Sequence, residues 1–325
     1  MHTDSNNTPN IKRAAVIGSG YMGGGIAQVL ALGGMDVVLG DVDAETAHNA
    51  RLRLINQAKT FEAEGLFDTG AADLIEARLT AADSVEDAVA DADYITEAVF
   101  ETLEVKLAAL ARISAAAKPG AIIGSNTSAI PITELAAVVV HPERFLGVHW
   151  MNPAPFIPGV ELIASDSTDP KVLDRAEAII TAVGKTPARV ADTPGFVANR
   201  LQFALYKEAV KVVEEGLATP AQVDLVVSNA FGFRLALFGP FAIGDMAGLD
   251  VYASSYATLA KTYGERFTAP DSLTASVEAG NLGVKSGTGF LNIDPAHTAA
   301  LLSYRDQAYR RLSQLRAELG QAPGL

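Results

Sequence analysis

Residues 12–41 run KRAAVIGSGYMGGGIAQVLALGGMDVVLGD. A short apolar run ends at glycines, an Ala/Leu-rich helical stretch follows, and DVVLGD makes a second apolar run, which together predict a βαβ unit. Inside it, Gly18-Ser19-Gly20-Tyr21-Met22-Gly23 forms a G-x-G-x-x-G that follows the first strand and opens the helix. Gly18 allows the tight turn, Gly20 lets a pyrophosphate approach the backbone, and Gly23 lets helix and strand pack closely. The helix N-terminus favours the phosphate charge. Asp41 closes the second run at about the 20-residue spacing of an acid that accepts from the adenosine ribose hydroxyls. A carboxylate there repels a 2′-phosphate, and neither Val42 nor Asp43 offers a guanidinium to bind one. Gly18, Gly20, Met22, Gly23 and Asp41 are therefore candidate cofactor contacts, with NAD expected over NADP. The competing reading, a glycine-rich packing turn beside a solvated Asp, leaves the joint occurrence of strand, turn, helix and acid unaccounted for.

Outward from this unit the alternation continues. A helical segment runs from Ala44 to about Glu64, followed by YITEAV at 94–99, a helix over Glu104–Ala116, AIIGSN at 121–126, FLGVHW at 145–150 and VELIA at 160–164. Strands separated by helices predict an α/β fold with a Rossmann-type doubly wound parallel sheet. Near residue 192 the pattern changes. Val197, Leu201, Leu205, Ala209, Val212 and Val213 recur at helical spacing, and no later strand run stands out, so an all-helical C-terminal domain is expected. The DTPGF turn suits the boundary. The expected organisation is a disordered polar tail over 1–10, a dinucleotide-binding domain over 11–192 and a helical domain over 193–325. The last charged stretch, SYRDQAYRRLSQLRAEL, suits a solvated terminal helix.

Composition narrows the chemistry. The 325 residues are 49% hydrophobic, enough for sizeable cores. The 25 Lys and Arg stand against 38 Asp and Glu, a net charge of −13, which opposes nucleic acid and anionic membrane surfaces as partners. With no cysteine, disulfides, thiolate metal sites and a Cys nucleophile are excluded. The first ten residues lack a basic start and an apolar segment, and no long uncharged apolar window follows, so a cytoplasmic protein without membrane contact is expected. No HExxH, G-x-S-x-G or phosphate-binding P-loop occurs, and no metal site is expected.

One pair stands out among five histidines. His149 ends the FLGVHW run, and Glu161 lies on the next apolar run beyond MNPAPFIPG. Pro153, Pro155 and Pro158 cannot all belong to a central strand, so the segment between must be a loop that turns the chain back, a geometry able to bring the two side chains face to face. A neutral imidazole is the natural base for a hydroxyl proton near pH 7, and a carboxylate on its other nitrogen fixes the tautomer. From the pair alone, a hydrogen-bonded core histidine beside a surface glutamate is the favoured reading. His2 in the tail, His48 on a helix face, His141 beside Pro142 and His297 near the C-terminus are weaker candidates.

The chain resembles the 3-hydroxyacyl-CoA dehydrogenase family from about Lys12 to Phe290. After the glycine turn come EAVFETLEVK at 97–106, SNTSAIPITELA at 125–136, ERFLGVHWMNPAPFIPGVELI at 143–163, DTPGFVANRLQFALYKEAV at 192–210, GPFAIGDMAGLD at 239–250 and GVKSGTGF at 283–290. The resemblance implies a Rossmann domain with a helical dimerising domain, a homodimer, and NAD-dependent oxidation of a secondary 3-hydroxyl on a small-molecule substrate. By the matched positions His149 is the catalytic base and Glu161 its orienting carboxylate. Ser128 and Asn199 contact the substrate oxygen, and Asn152 supports the site. Glu101 and Lys106 lie near the cofactor's ribose and nicotinamide half, with Ser125, Asn126 and Lys285 close to it. One stretch departs from the pattern. Where acyl-CoA members carry Ser and Lys contacts to the CoA phosphates, this chain has Gln57 and Glu64, and relatives acting on small free hydroxy acids, such as carnitine and gulonate dehydrogenases, become the better guide. Arg51, Arg53 and Lys59 keep a CoA ester as the alternative substrate. An NAD-binding protein without turnover is the alternative from another class.

Overall fold

The structure, a computed structural model, describes residues 11–324, so the tail expected over 1–10 lies outside the described residues, as does His2. Two compact units make up the chain, one ending at Tyr206 and the other beginning at Lys207.

The first unit is built on one eight-stranded sheet. In chain order it contains β1 (Arg13–Ile17), α1 (Tyr21–Leu32), β2 (Asp36–Gly40), α2 (Ala44–Ala63), α3 (Ala71–Arg78), β3 (Leu79–Ala81), α4 (Val85–Val89), β4 (Tyr94–Glu97), α5 (Leu103–Ala116), β5 (Ile122–Ser125), α6 (Ile132–Ala136), β6 (Phe145–Trp150), β7 (Gly159–Ile163), α7 (Pro170–Ala182) and β8 (Thr186–Val190). The strand order is β3-β2-β1-β4-β5-β6-β7-β8. From β3 to β6 all neighbours are parallel, and the order reverses between β1 and β4, the switch point at which open α/β sheets bind ligands. Alternate residues of β1 feed two clusters: Ala14 and Val16 join Leu30, Leu54 and Val148, while Ala15 and Ile17 join Ile95, Ile113 and Phe145. A strand covered on both faces has no solvent side, so its sequence is a continuous apolar run.

Three features differ from the sequence expectation. β7 runs antiparallel to β6 and parallel to β8. The proline loop between β6 and β7 holds no crossover helix, and a parallel return needs a dozen or more residues of crossover. The other two are the strands β3 and β8, which the apolar runs did not disclose. β3 has three residues, and β8 is an edge strand, TPARV, none of whose positions is buried.

The last strand ends at Val190 and α8 (Ala198–Glu214) follows, a continuous helix within which the division between the units falls. Beyond it come α9 (Pro220–Asn229), α10 (Phe231–Leu235), α11 (Pro240–Ala247), α12 (Leu249–Tyr263), α13 (Asp271–Glu278) and α14 (Thr298–Leu319), the last covering the expected charged terminal helix. Among the described residues no helix is long and apolar enough to cross a membrane.

Candidate active site

The glycine turn is built as its spacing requires. Gly18 has φ +92°, and a Cβ there would lie 2.6 Å from the Ala98 carbonyl oxygen, so neither backbone angle nor space admits a side chain. A Cβ on Gly23 would lie 1.8 Å from the Gly18 carbonyl oxygen, which is how closely α1 seats on the turn. Above Gly20 a Cβ would meet nothing within 4 Å, leaving the backbone open. Gly20 is also the N-cap of α1, without a side-chain cap and with no acid in the first turn, so the first N–H groups keep no side-chain partner. This open, uncapped turn fits the pyrophosphate of a dinucleotide. Met22 is half-buried in the same helical turn. Asp41 follows β2, and its Oδ2 accepts from the Ser19 N–H at 2.7 Å and from the Ser19 hydroxyl, while Oδ1 accepts from the Val42 N–H at 2.8 Å.

Along the same strand-end edge, β4 and β5 carry a buried ionic cluster. Glu97 and Lys106 are both essentially inaccessible, and the Lys106 ammonium donates to Glu97 Oε1 at 2.8 Å and lies 3.3 Å from Glu101 Oε2. Ser125 donates to the second Glu97 oxygen at 2.5 Å. Burial pushes the Glu101 carboxyl up, but the Thr127 hydroxyl, the Lys106 charge and the N–H groups of Ser128 and Ala129 outweigh it and hold the group below its ordinary value. Glu97 and Thr127 were missed in the sequence. The only signal for Glu97 is a carboxylate at the end of an otherwise apolar strand run, and a buried charge persists only when paired.

His149 and Glu161 are cross-strand partners in the antiparallel β6–β7 pair. Both are buried, and His149 Nδ1 is 2.8 Å from Glu161 Oε2. The other carboxylate oxygen accepts from the N–H groups of Val197 at 3.0 Å and Ala198 at 2.9 Å, so Glu161 also satisfies the start of α8. Burial pushes the Glu161 carboxyl up, and the His149 bond, the Ala198 and Val197 N–H groups and the histidine charge more than reverse it, holding the group ionised. Phe196, fully buried with φ +48°, packs its ring 5.6 Å from the imidazole. A phenylalanine in the left-handed region stores strain that the surrounding packing must hold.

The remaining expected residues are spread over both units. Asn126 is buried and accepts from the Trp150 N–H at 2.8 Å, tying the end of β5 to the residue after His149. Ser128 is half-buried, and Asn199 donates to its carbonyl oxygen at 2.8 Å, bringing those two together. Asn152 is exposed on the proline loop. Lys285 belongs to the second unit, where it donates to Asp250 at 2.8 and 3.1 Å. Buried Asp245 accepts the N–H groups of Phe290 and Leu291 at 3.1 and 2.8 Å, which holds the loop that carries Lys285.

The three cations of α2 are all engaged within the first unit. Arg51 donates to the carbonyl oxygens of Leu79 and Glu76, Lys59 pairs with Glu76 at 3.2 Å, and Arg53 donates to the Ser19 carbonyl oxygen at 2.6 Å.

Two family models match the chain: that of the 3-hydroxyacyl-CoA dehydrogenase NAD binding domain over residues 13–193, and that of the 3-hydroxyacyl-CoA dehydrogenase C-terminal domain over 195–293. The chain is similar to 5-formyl-3-hydroxy-2-methylpyridine 4-carboxylate 5-dehydrogenase of Mesorhizobium japonicum, at 37% identity over 91% of this chain and 95% of the relative. It is also similar to 3-hydroxybutyryl-CoA dehydrogenase of Bradyrhizobium diazoefficiens, at 34% identity over 86% and 94%. Among solved structures, the 3-hydroxyacyl-CoA dehydrogenase of Archaeoglobus fulgidus matches with a TM-score of 0.77 at 31% identity, covering 93% of this chain and 99% of that one.

Proposed function

Since the chain belongs to the 3-hydroxyacyl-CoA dehydrogenase family, we propose that it reversibly oxidises the secondary hydroxyl of a 3-hydroxy acid or a related small hydroxy compound, with NAD as cofactor and His149 as general base. The observation that carries this reading is the buried His149–Glu161 pair, standing on the same sheet edge as the open glycine turn. NAD, when bound, supplies the hydride acceptor.

With Nδ1 engaged by the carboxylate, the ring proton stays on that nitrogen and Nε2 keeps a lone pair for the substrate hydroxyl proton. The Glu161 charge then stabilises the imidazolium that forms. Because the folded carboxyl lies below its ordinary value of 4.5, its contribution to stability is present at neutral pH and is lost as pH falls through the lowered value. Ser128 and Asn199 are assigned to the substrate oxygen, and Asn152 to support of the site. Gly18, Gly20, Met22, Gly23, Asp41, Glu101, Lys106, Ser125, Asn126 and Lys285 are assigned to the cofactor.

A free hydroxy acid is preferred to a CoA ester. Arg51 and Lys59, which a CoA phosphate would need, are already bonded within the protein, and Glu64 adds negative charge at the end of α2. The pyridine carboxylate in the name of the Mesorhizobium relative supports this, while the Bradyrhizobium relative keeps the CoA ester as the second reading.

The helical domain over 193–325 is assigned to substrate binding and to a homodimer, in the cytoplasm, where a chain without cysteine needs no oxidising compartment. The test of the base is His149→Gln. Turnover falls by about 10²–10⁴-fold while NAD affinity stays unchanged. Near wild-type turnover would place the base elsewhere.

A further inference from the structure

The glycine turn is held by a residue that the dinucleotide motif does not contain. α2 packs closely on α1 because Gly24 has no side chain: a Cβ there would lie 2.7 Å from Leu54 Cδ2. Leu54 is buried in that seam, and its neighbour Arg53 is thereby carried up to the turn, where its guanidinium donates to the Ser19 carbonyl oxygen at 2.6 Å. Asp41 holds the N–H of the same residue at 2.7 Å. Ser19 is thus gripped at both ends, by a carboxylate on its N–H and a guanidinium on its carbonyl.

Arg53 has donors to spare. A guanidinium carries five N–H donors, and this one makes a single hydrogen bond and no ion pair among the described residues. Its side chain is exposed, in contrast to the buried Lys106 that serves Glu97. Arg53 is also the only cationic side chain bonded to residues 18–23 among the described residues, in a chain of net charge −13. A pyrophosphate seated on the open backbone at Gly20 brings two negative charges to the residue next to Ser19. Planar N–H donors matched to phosphate oxygens are the strongest neutralising group a protein offers there.

We propose that Arg53 is a phosphate-binding residue of the dinucleotide site, using its free donors on the pyrophosphate while it stays anchored to Ser19. The proposal rests on the assignment of NAD to the glycine turn. It also gives this cation of α2 a role in the cofactor site in place of a CoA handle.

Equilibrium calorimetry on wild type, Arg53→Gln and Arg53→Lys, with NAD, NADP, ADP and adenosine as ligands, tests it. Arg53→Gln weakens NAD and ADP by about tenfold, leaves adenosine unchanged, and flattens the salt dependence of NAD binding; Arg53→Lys retains part of the affinity. Circular dichroism and thermal melting establish that both variants are folded. Folded Arg53→Gln that binds NAD with wild-type affinity overturns the proposal alone. So does an equal loss of adenosine, which marks a distorted turn, and so does an effect confined to NADP, which makes Arg53 a 2′-phosphate contact. Wild type that binds no NAD removes the cofactor assignment and the proposal with it.

Discussion

The two units spend their apolar residues differently. In the first, strands β4, β5 and β6 are buried at every position, and alternate faces of β1 feed two clusters. In the second, the buried hydrophobic side chains among the described residues are Ile243, Leu249 and Leu273, while Leu217, Leu225, Val226, Phe241 and Val251 are exposed. The sheet unit closes its own core, whereas the helical unit leaves apolar side chains of α9 and α12 exposed, a face that the homodimer proposed above would cover.

Ile95→Ala empties a fully buried position of β4 and is expected to cost about 2–5 kcal/mol, seen as a fall in melting temperature and denaturation midpoint. A loss under about 0.5 kcal/mol would mean the sheet core is loosely packed. On the helical side the same class of residue tests the proposed homodimer. Leu225→Glu or Val226→Lys in α9 is expected to weaken dimerisation by roughly 1.5–3 kcal/mol per side chain removed from the interface, with little effect on the sheet unit. Sedimentation equilibrium measures it, and an unaltered dimer would put the interface on another face.

Between the units' cores and their ligands, Asp41 sets a smaller effect. If Asp41 accepts from the two ribose hydroxyls as proposed, Asp41→Ala is expected to cost NAD about 1–3 kcal/mol and to reduce the preference over NADP. Equal kcat/KM for the two cofactors in wild type would remove the assignment of Asp41.

How much of this was legible in the sequence depends on whether a residue acts through a local pattern or through a distant neighbour. The glycine turn and the cross-strand meeting of His149 with Glu161 were legible, because spacing and three prolines constrain the chain locally. β8 was not, since an exposed edge strand carries no apolar run, and β3 was too short to show one. Nor was the double use of Glu161, whose bonds to Val197 and Ala198 cross 36 and 37 residues. In the sequence Arg53 is only one of three cations that keep a CoA ester as the alternative substrate, and the α1–α2 seam at Gly24 is what brings it to Ser19. Glu97 and Lys106 are paired buried charges, which a single sequence does not distinguish from exposed ones.

NADH formation by the wild-type chain across a panel of 3-hydroxy acids, free and as CoA esters, decides whether the sheet edge oxidises a small free hydroxy compound with NAD, as proposed. Free acids are expected to include at least one with kcat/KM no lower than that of 3-hydroxybutyryl-CoA, and Glu64→Lys is expected to improve the CoA ester selectively by about 1 kcal/mol or less. Oxidation of 3-hydroxybutyryl-CoA near about 10⁶ M⁻¹s⁻¹ with no free acid turned over, or NAD binding with no NADH formed from any of them, would contradict it.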